Sequence, residues 1–192
     1  MRKLVLSIAF LGVFCTAIFA QPKNAIKVNL FSPILKTGSF FYERAISETS
    51  SLNLGFLFTA MKAGDTKFSG FAITPEYRFY LGENGAMDGF YVAPYARYSS
   101  FTLKNEDSNY DFGSGNSTSI EESKATLTSI GGGLVIGRQW IFKERISLDM
   151  FIGPSYSSAS IKADIDGEEG SFDASIWDGF GVRAGLTLGI AF

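Results

Sequence analysis

Six ionisable side chains, Glu43, Glu76, Arg78, Arg97, Asp149 and Arg183, recur on the polar positions of alternating segments. Three carboxylates and three guanidiniums allow two kinds of chemistry. A pair such as Glu76 with Asp149 could do general acid–base work, which needs one carboxyl protonated. A set already matched by arginines is better suited to bidentate ion pairing. Charges inside a narrow enclosure are costly unless paired, so the even balance favours a polar plug over a catalytic pair. Its functional counterpart is a narrow channel gated by breaking one pair. The sequence contains no histidine, and its single cysteine, Cys15, lies in an N-terminal hydrophobic stretch. Histidine-based triads and Cys/His zinc sites therefore have no residues to use. Gly131-Gly132-Gly133 lacks the Lys-Ser/Thr of a phosphate loop. Asp164, Asp166, Glu168, Glu169 and Asp173 offer oxygen ligands without the fixed offsets of a full calcium loop. No catalytic, cofactor-binding or metal-ligating residue is expected, and no enzymatic activity.

The elements that must hold the six charges are strands. Period-two alternation runs through segments near 24–33, 38–47, 51–60, 68–81, 89–103, 125–141, 146–156 and 179–192. In the last, Val182, Ala184, Leu186, Leu188, Ile190 and Phe192 share one face, while Gly181, Arg183, Gly185, Thr187, Gly189 and Ala191 share the other. Connections alternate in length. Ser47–Ser50, Gly82–Asp88 and Lys143-Glu144-Arg145 are short; Ala60–Lys67, Lys104–Lys124 and Ser157–Asp178 are long, and the first hairpin near Leu35–Gly38 is short. Short turns at one end and long loops at the other are the pattern of a transmembrane barrel. Aromatics gather near the strand ends: Tyr77, Phe79, Phe90, Trp140 and Phe142 beside the short turns, and Phe58, Phe68, Phe71, Tyr98, Phe101 and Tyr156 beside the long loops. Two such bands are expected where a barrel meets the two membrane interfaces. Pro75 and Pro94 fall inside segments and predict local bulges, because proline removes a ladder donor.

The totals agree. The 192 residues suit one domain, and the net charge of −2 provides no basic surface for nucleic acid. Twenty-one glycines and 15 % aromatics favour pleated strands. Arg2 and Lys3 precede an apolar stretch that ends at Ala20, the form of a cleaved secretory signal. The expected organisation is a signal peptide over residues 1–20 and a β-barrel domain over 21–192, exported to the bacterial outer membrane. The fold class is all-β: an eight-stranded antiparallel up-and-down transmembrane barrel.

Leu186, Leu188, Ile190 and the terminal Phe192 resemble the C-terminal signature read by the outer-membrane assembly machinery. Phe41-Tyr42-Glu43-Arg44-Ala45, Thr74-Pro75-Glu76-Tyr77-Arg78-Phe79-Tyr80 and Gly89-Phe90-Tyr91-Val92-Ala93-Pro94-Tyr95 resemble a family of small outer-membrane barrels with a domain of unknown function. That family is broadly similar to OmpA-type and OmpW-type barrels. The resemblance implies the fold and the membrane but no activity. The partners it implies are outer-membrane lipid and the assembly machinery, with no partner assigned to the loops. Two functions follow as expectations: a non-enzymatic barrel acting in envelope integrity or surface interaction through its long loops, or a narrow channel or transporter for small or hydrophobic solutes.

Overall fold

A computed structural model describes residues 22–34, 36–63, 66–82, 85–106, 122–165, 168–173 and 178–192. The expected signal peptide and Cys15 lie outside the described residues. Among the described residues nine strands are formed: β1 (Asn24–Asn29), β2 (Thr37–Ala45), β3 (Ser50–Ala63), β4 (Thr66–Tyr80), β5 (Gly89–Glu106), β6 (Glu122–Phe142), β7 (Ile146–Ile165), β8 (Glu168–Asp173) and β9 (Gly179–Ala191). Each of β1 to β7 pairs antiparallel with the next. β7 then pairs with β9, and β9 with β1, which closes an eight-stranded barrel. The first and last strands are joined where Asn24 N donates to Phe192 O and Phe192 N donates back to Asn24 O, each within 2.9 Å. Closure leaves none of these eight strands with a free edge over its paired length.

β8 pairs only with the far end of β7, from Ser160↔Asp173 to Ile165↔Glu168. It is a hairpin standing on the barrel rim, where the sequence suggests a loop over 157–178. The other expected long connections are also shorter. β3 and β4 stay paired as far as Ala63↔Thr66, and β5 and β6 as far as Glu106↔Glu122. The reason is common to all three. Beyond the apolar alternation the strands turn polar, but the main-chain ladder needs no apolar side chain to continue. At the opposite end the turns are short. Lys143 and Glu144 both take positive φ (50° and 58°), and Arg145 N donates to Phe142 O at 3.1 Å. This is the primed geometry that suits the twist of a two-residue hairpin.

The bulges expected at Pro75 and Pro94 are absent. The β4–β5 register is the same on both sides of them, as in Ile73↔Tyr98 and Phe79↔Val92. Pro75 pairs with Leu54 on β3, and Pro94 with Leu134 on β6. Both therefore turn their donor-less nitrogens toward the shared β4–β5 seam, where pairing lapses on either side of Glu76↔Tyr95. Two defects in one seam cost a few ladder bonds and no change of register.

The alternation runs outside-in. Ile26, Phe56, Leu134, Ile152 and Ile190 point outward and remain 43–65 % exposed, whereas Lys27, Glu43, Arg78 and Asp149 are fully buried. A soluble barrel has the reverse arrangement. The lumen is closed at the short-turn end by Met87, carried in from the β4–β5 turn and packed with Ala25 and Ala191. Large rings inside are accommodated by glycines on the facing strand. The Tyr91 ring fills the space a Cβ would need at Gly137, and Phe151 does the same at Gly185. Gly185→Val is expected to displace the Phe151 ring at a cost of about 1–3 kcal/mol. The check is the urea midpoint of refolded protein in detergent; an unchanged midpoint would contradict this packing.

Candidate functional site: a charge network across the barrel lumen

Inward positions of β1, β2, β4 and β7 bring Lys27, Glu43, Arg78 and Asp149 to one level of the lumen. Lys27 Nζ donates to Glu43 Oε2 (2.6 Å), Gln139 Oε1 (2.8 Å) and Asp149 Oδ2 (3.1 Å). An ammonium has three protons, and each finds an acceptor. Arg78 Nη1 reaches the same three groups at 3.2, 3.0 and 2.9 Å. Its Nε and Nη2 both donate to Glu76 Oε2, at 3.1 and 3.0 Å. Arg78 is also 4.4 Å from the centroid of Tyr91, a cation–π contact.

Every oxygen of the three carboxylates has a partner. Glu43 Oε1 accepts from Ser51 and from Tyr80 (2.6 Å), and Asp149 Oδ1 accepts from Tyr91 (2.8 Å). Glu76 Oε2 also accepts from Asn53 (3.0 Å), and its Oε1 accepts from Arg183 Nη2. The network thus holds three acids and three bases, Lys27, Arg78 and Arg183, with hydroxyls and amides completing the carboxylates, while Arg183 Nη1, Asn53 Oδ1 and Gln139 Nε2 have no hydrogen-bond partner among the described residues. Such satisfaction of the carboxylates is what a buried ionic cluster requires. Because both carboxylates of the supposed acid–base pair, Glu76 and Asp149, are bound by Arg78, the arrangement is suited to bracing the barrel.

Five of the six residues singled out by sequence join this network. Arg97 does not. Its Nη1 lies 3.4 Å from Thr74 Oγ1, and among the described residues it has no carboxylate partner. Its expected place in the ion-pair set is taken by Lys27. The alternation Ile26-Lys27-Val28 already places Lys27 on the polar face, so its signal is present but lies in a short strand. The aromatic bands are corrected at two positions. Phe68 and Phe101 turn inward and stack on one another (5.7 Å between centroids), while Phe58, Phe71, Tyr98 and Tyr156 remain outside. In the C-terminal signature, Leu188, Ile190 and Phe192 are exposed on the outer face, alternating with the buried Thr187 and Ala191.

Above the network the lumen opens. Arg183 lies over Tyr95 and Phe151, at 4.5 and 4.8 Å from their centroids. Arg97 and Arg183 line a cavity of about 760 Å³ in the half of the barrel nearer the long connections. The short-turn half is filled by the network and by Met87.

A family described as a protein of unknown function (DUF3575) matches residues 5–167. The chain belongs to that family. No curated protein matches it. Among solved structures, a major outer membrane protein from Thermus thermophilus aligns with a TM-score of 0.54 at 13 % identity, covering 90 % of this chain and 100 % of the other. The N-terminal β-barrel domain of Pseudomonas aeruginosa OprF aligns with a TM-score of 0.38 at 15 % identity, covering 90 % and 98 %. The first of these similarities agrees with the closed barrel described above, and family membership carries no activity with it.

Removing one member of a buried ion cluster strands its partners, at a cost of about 3–5 kcal/mol. Arg78→Met is expected to lose that much in urea unfolding followed by tryptophan fluorescence. Arg97→Ala, outside the cluster, is expected to lose about 1 kcal/mol or less. Equal losses would contradict the assignment.

Proposed function

We propose that the chain is a non-enzymatic β-barrel of the bacterial outer membrane, with a lumen closed by ion pairs, acting in envelope integrity or surface interaction. The observation that carries this reading is the ion-paired network of Lys27, Glu43, Glu76, Arg78, Asp149 and Arg183 across the lumen, in which every carboxylate oxygen is bound, with Met87 beneath it. A barrel so filled has its contacts to make on the outside. The apolar outer face supports lipid as one partner. Arg138 over Phe90 and Trp140, at 4.6 and 5.1 Å, supports an interface at the short-turn end, where an amphipathic cation and rings both suit the headgroup region. The outward Leu188, Ile190 and Phe192 are available to the assembly machinery. The two long connections, after β5 and after β7, are the natural place for a surface partner.

A second reading, a narrow channel or transporter for small or hydrophobic solutes, is favoured by the cavity above Arg97 and Arg183. Conductance separates the two. Protein refolded into a planar lipid bilayer, with folding checked by heat-modifiable gel migration, is expected to be silent. Discrete current steps would overturn the plugged reading and favour the channel.

A further inference from the structure

The inward residues change chemistry along the barrel. Toward the short turns they are ions, hydroxyls and amides. Toward the long connections Phe68, Phe101, Leu103, Leu127 and Ile161, with serines such as Ser99 and Ser129 between them, wall the cavity of about 760 Å³. A polar-lined barrel filled with water needs no such wall. At the base of this apolar chamber stand Arg97 and Arg183. A smaller cavity of about 200 Å³, on the β2–β3 side, reaches the same two arginines.

The charge at that base is incomplete. Arg183 donates through Nη2 to Glu76, but its Nη1 is enclosed without a hydrogen-bond partner, as is the hydroxyl of Tyr95 beside it. Among the described residues Arg97 has only the 3.4 Å contact to Thr74 Oγ1. Glu76 is already shared with Arg78 and Asn53. Two guanidiniums and one committed carboxylate thus meet at the edge of an apolar space, where like charges repel strongly and an unmet donor is costly. An anion placed against Arg97 and Arg183 Nη1 would offset both terms.

We propose that the loop-side half of the lumen binds a single-chain amphipathic anion. Its acidic head would sit on Arg97 and Arg183 Nη1, and its hydrocarbon body would lie against Phe68, Phe101 and Leu127. The volume is that of small-molecule pockets, which typically span about 300–1,000 Å³ and combine an apolar wall with a few placed polar groups. Arginine suits a planar carboxylate head, which it can hold with two parallel hydrogen bonds. The site needs no path through the barrel, so it stands or fails independently of conductance.

The test uses the protein refolded into nanodiscs of zwitterionic phosphatidylcholine, with radiolabelled dodecanoate in equilibrium dialysis against empty discs. Saturable binding beyond that of empty discs is expected, competed by dodecyl sulfate and not by dodecanol. Arg97→Ala is expected to weaken it at least ~10-fold, about 1.4 kcal/mol. Leu127→Trp, which fills the chamber without touching the charges, is expected to weaken it comparably, and serves alone if Arg97→Ala does not migrate as folded protein. Absence of saturable binding, the result if lipid or part of this chain already fills the chamber, would overturn the proposal. So would equal competition by dodecanol, or unchanged affinity in the folded variants.

Discussion

The structure turns on the shared grip of Lys27 and Arg78 on Glu43 and Asp149. Charges enclosed in a narrow barrel are tolerable only when each finds its partner, and here the partners come from all around the wall. β1 supplies Lys27, β2 Glu43, β3 Ser51 and Asn53, β4 Glu76 and Arg78, β5 Tyr91, β6 Gln139, β7 Asp149 and β9 Arg183. No two adjacent strands could satisfy the set alone. Register, closure and ion pairing are therefore one condition: a one-residue slip of any strand would turn its polar members outward, and an open barrel would leave charges without partners.

That condition divides the lumen. From Met87 up to Glu76 the space is filled by side chains bonded to one another. Beyond Arg183 the same alternation brings in rings and branched aliphatics, and the filling stops. The closed half is filled by the ion network, and the open half is a chamber with a charged base. Outside, the apolar belt is continuous across this division, so the internal change of chemistry is not dictated by the barrel's surroundings. This is the physical ground for treating the chamber as a site with its own ligand.

Much of this is legible in the sequence because a barrel strand records both of its faces. The last strand, with Leu186 to Phe192 on one side and Arg183, Gly185 and Thr187 on the other, gives its orientation directly. The alternating lengths of the connections set a short-turn end against a long-loop end. What escapes has specific causes. Lys27 sits in a six-residue strand, where few alternating positions stand out, although its neighbours Ile26 and Val28 mark its face. Arg97 lies on the polar face as expected, but only the register shows that it stands above Glu76, beyond the reach of the carboxylates. Nearness to strand ends puts Phe68 and Phe101 in an outer band, whereas the parity of their strands turns them inward. Pro75 and Pro94 predict bulges one at a time; that both turn toward one seam is visible only when the strands are paired. β8 continues the ladder with acidic and small residues and a single Phe172, which carry no apolar alternation.

That the ions act as one network is tested most directly by a double-mutant cycle. Lys27→Met and Glu43→Gln, singly and together, would be measured by urea unfolding of the refolded barrel. A coupling of about 1–3 kcal/mol between them is the predicted result for buried groups in one network. Additive losses, within about 0.5 kcal/mol, would contradict it, and the lumen would then be held by packing rather than by charge.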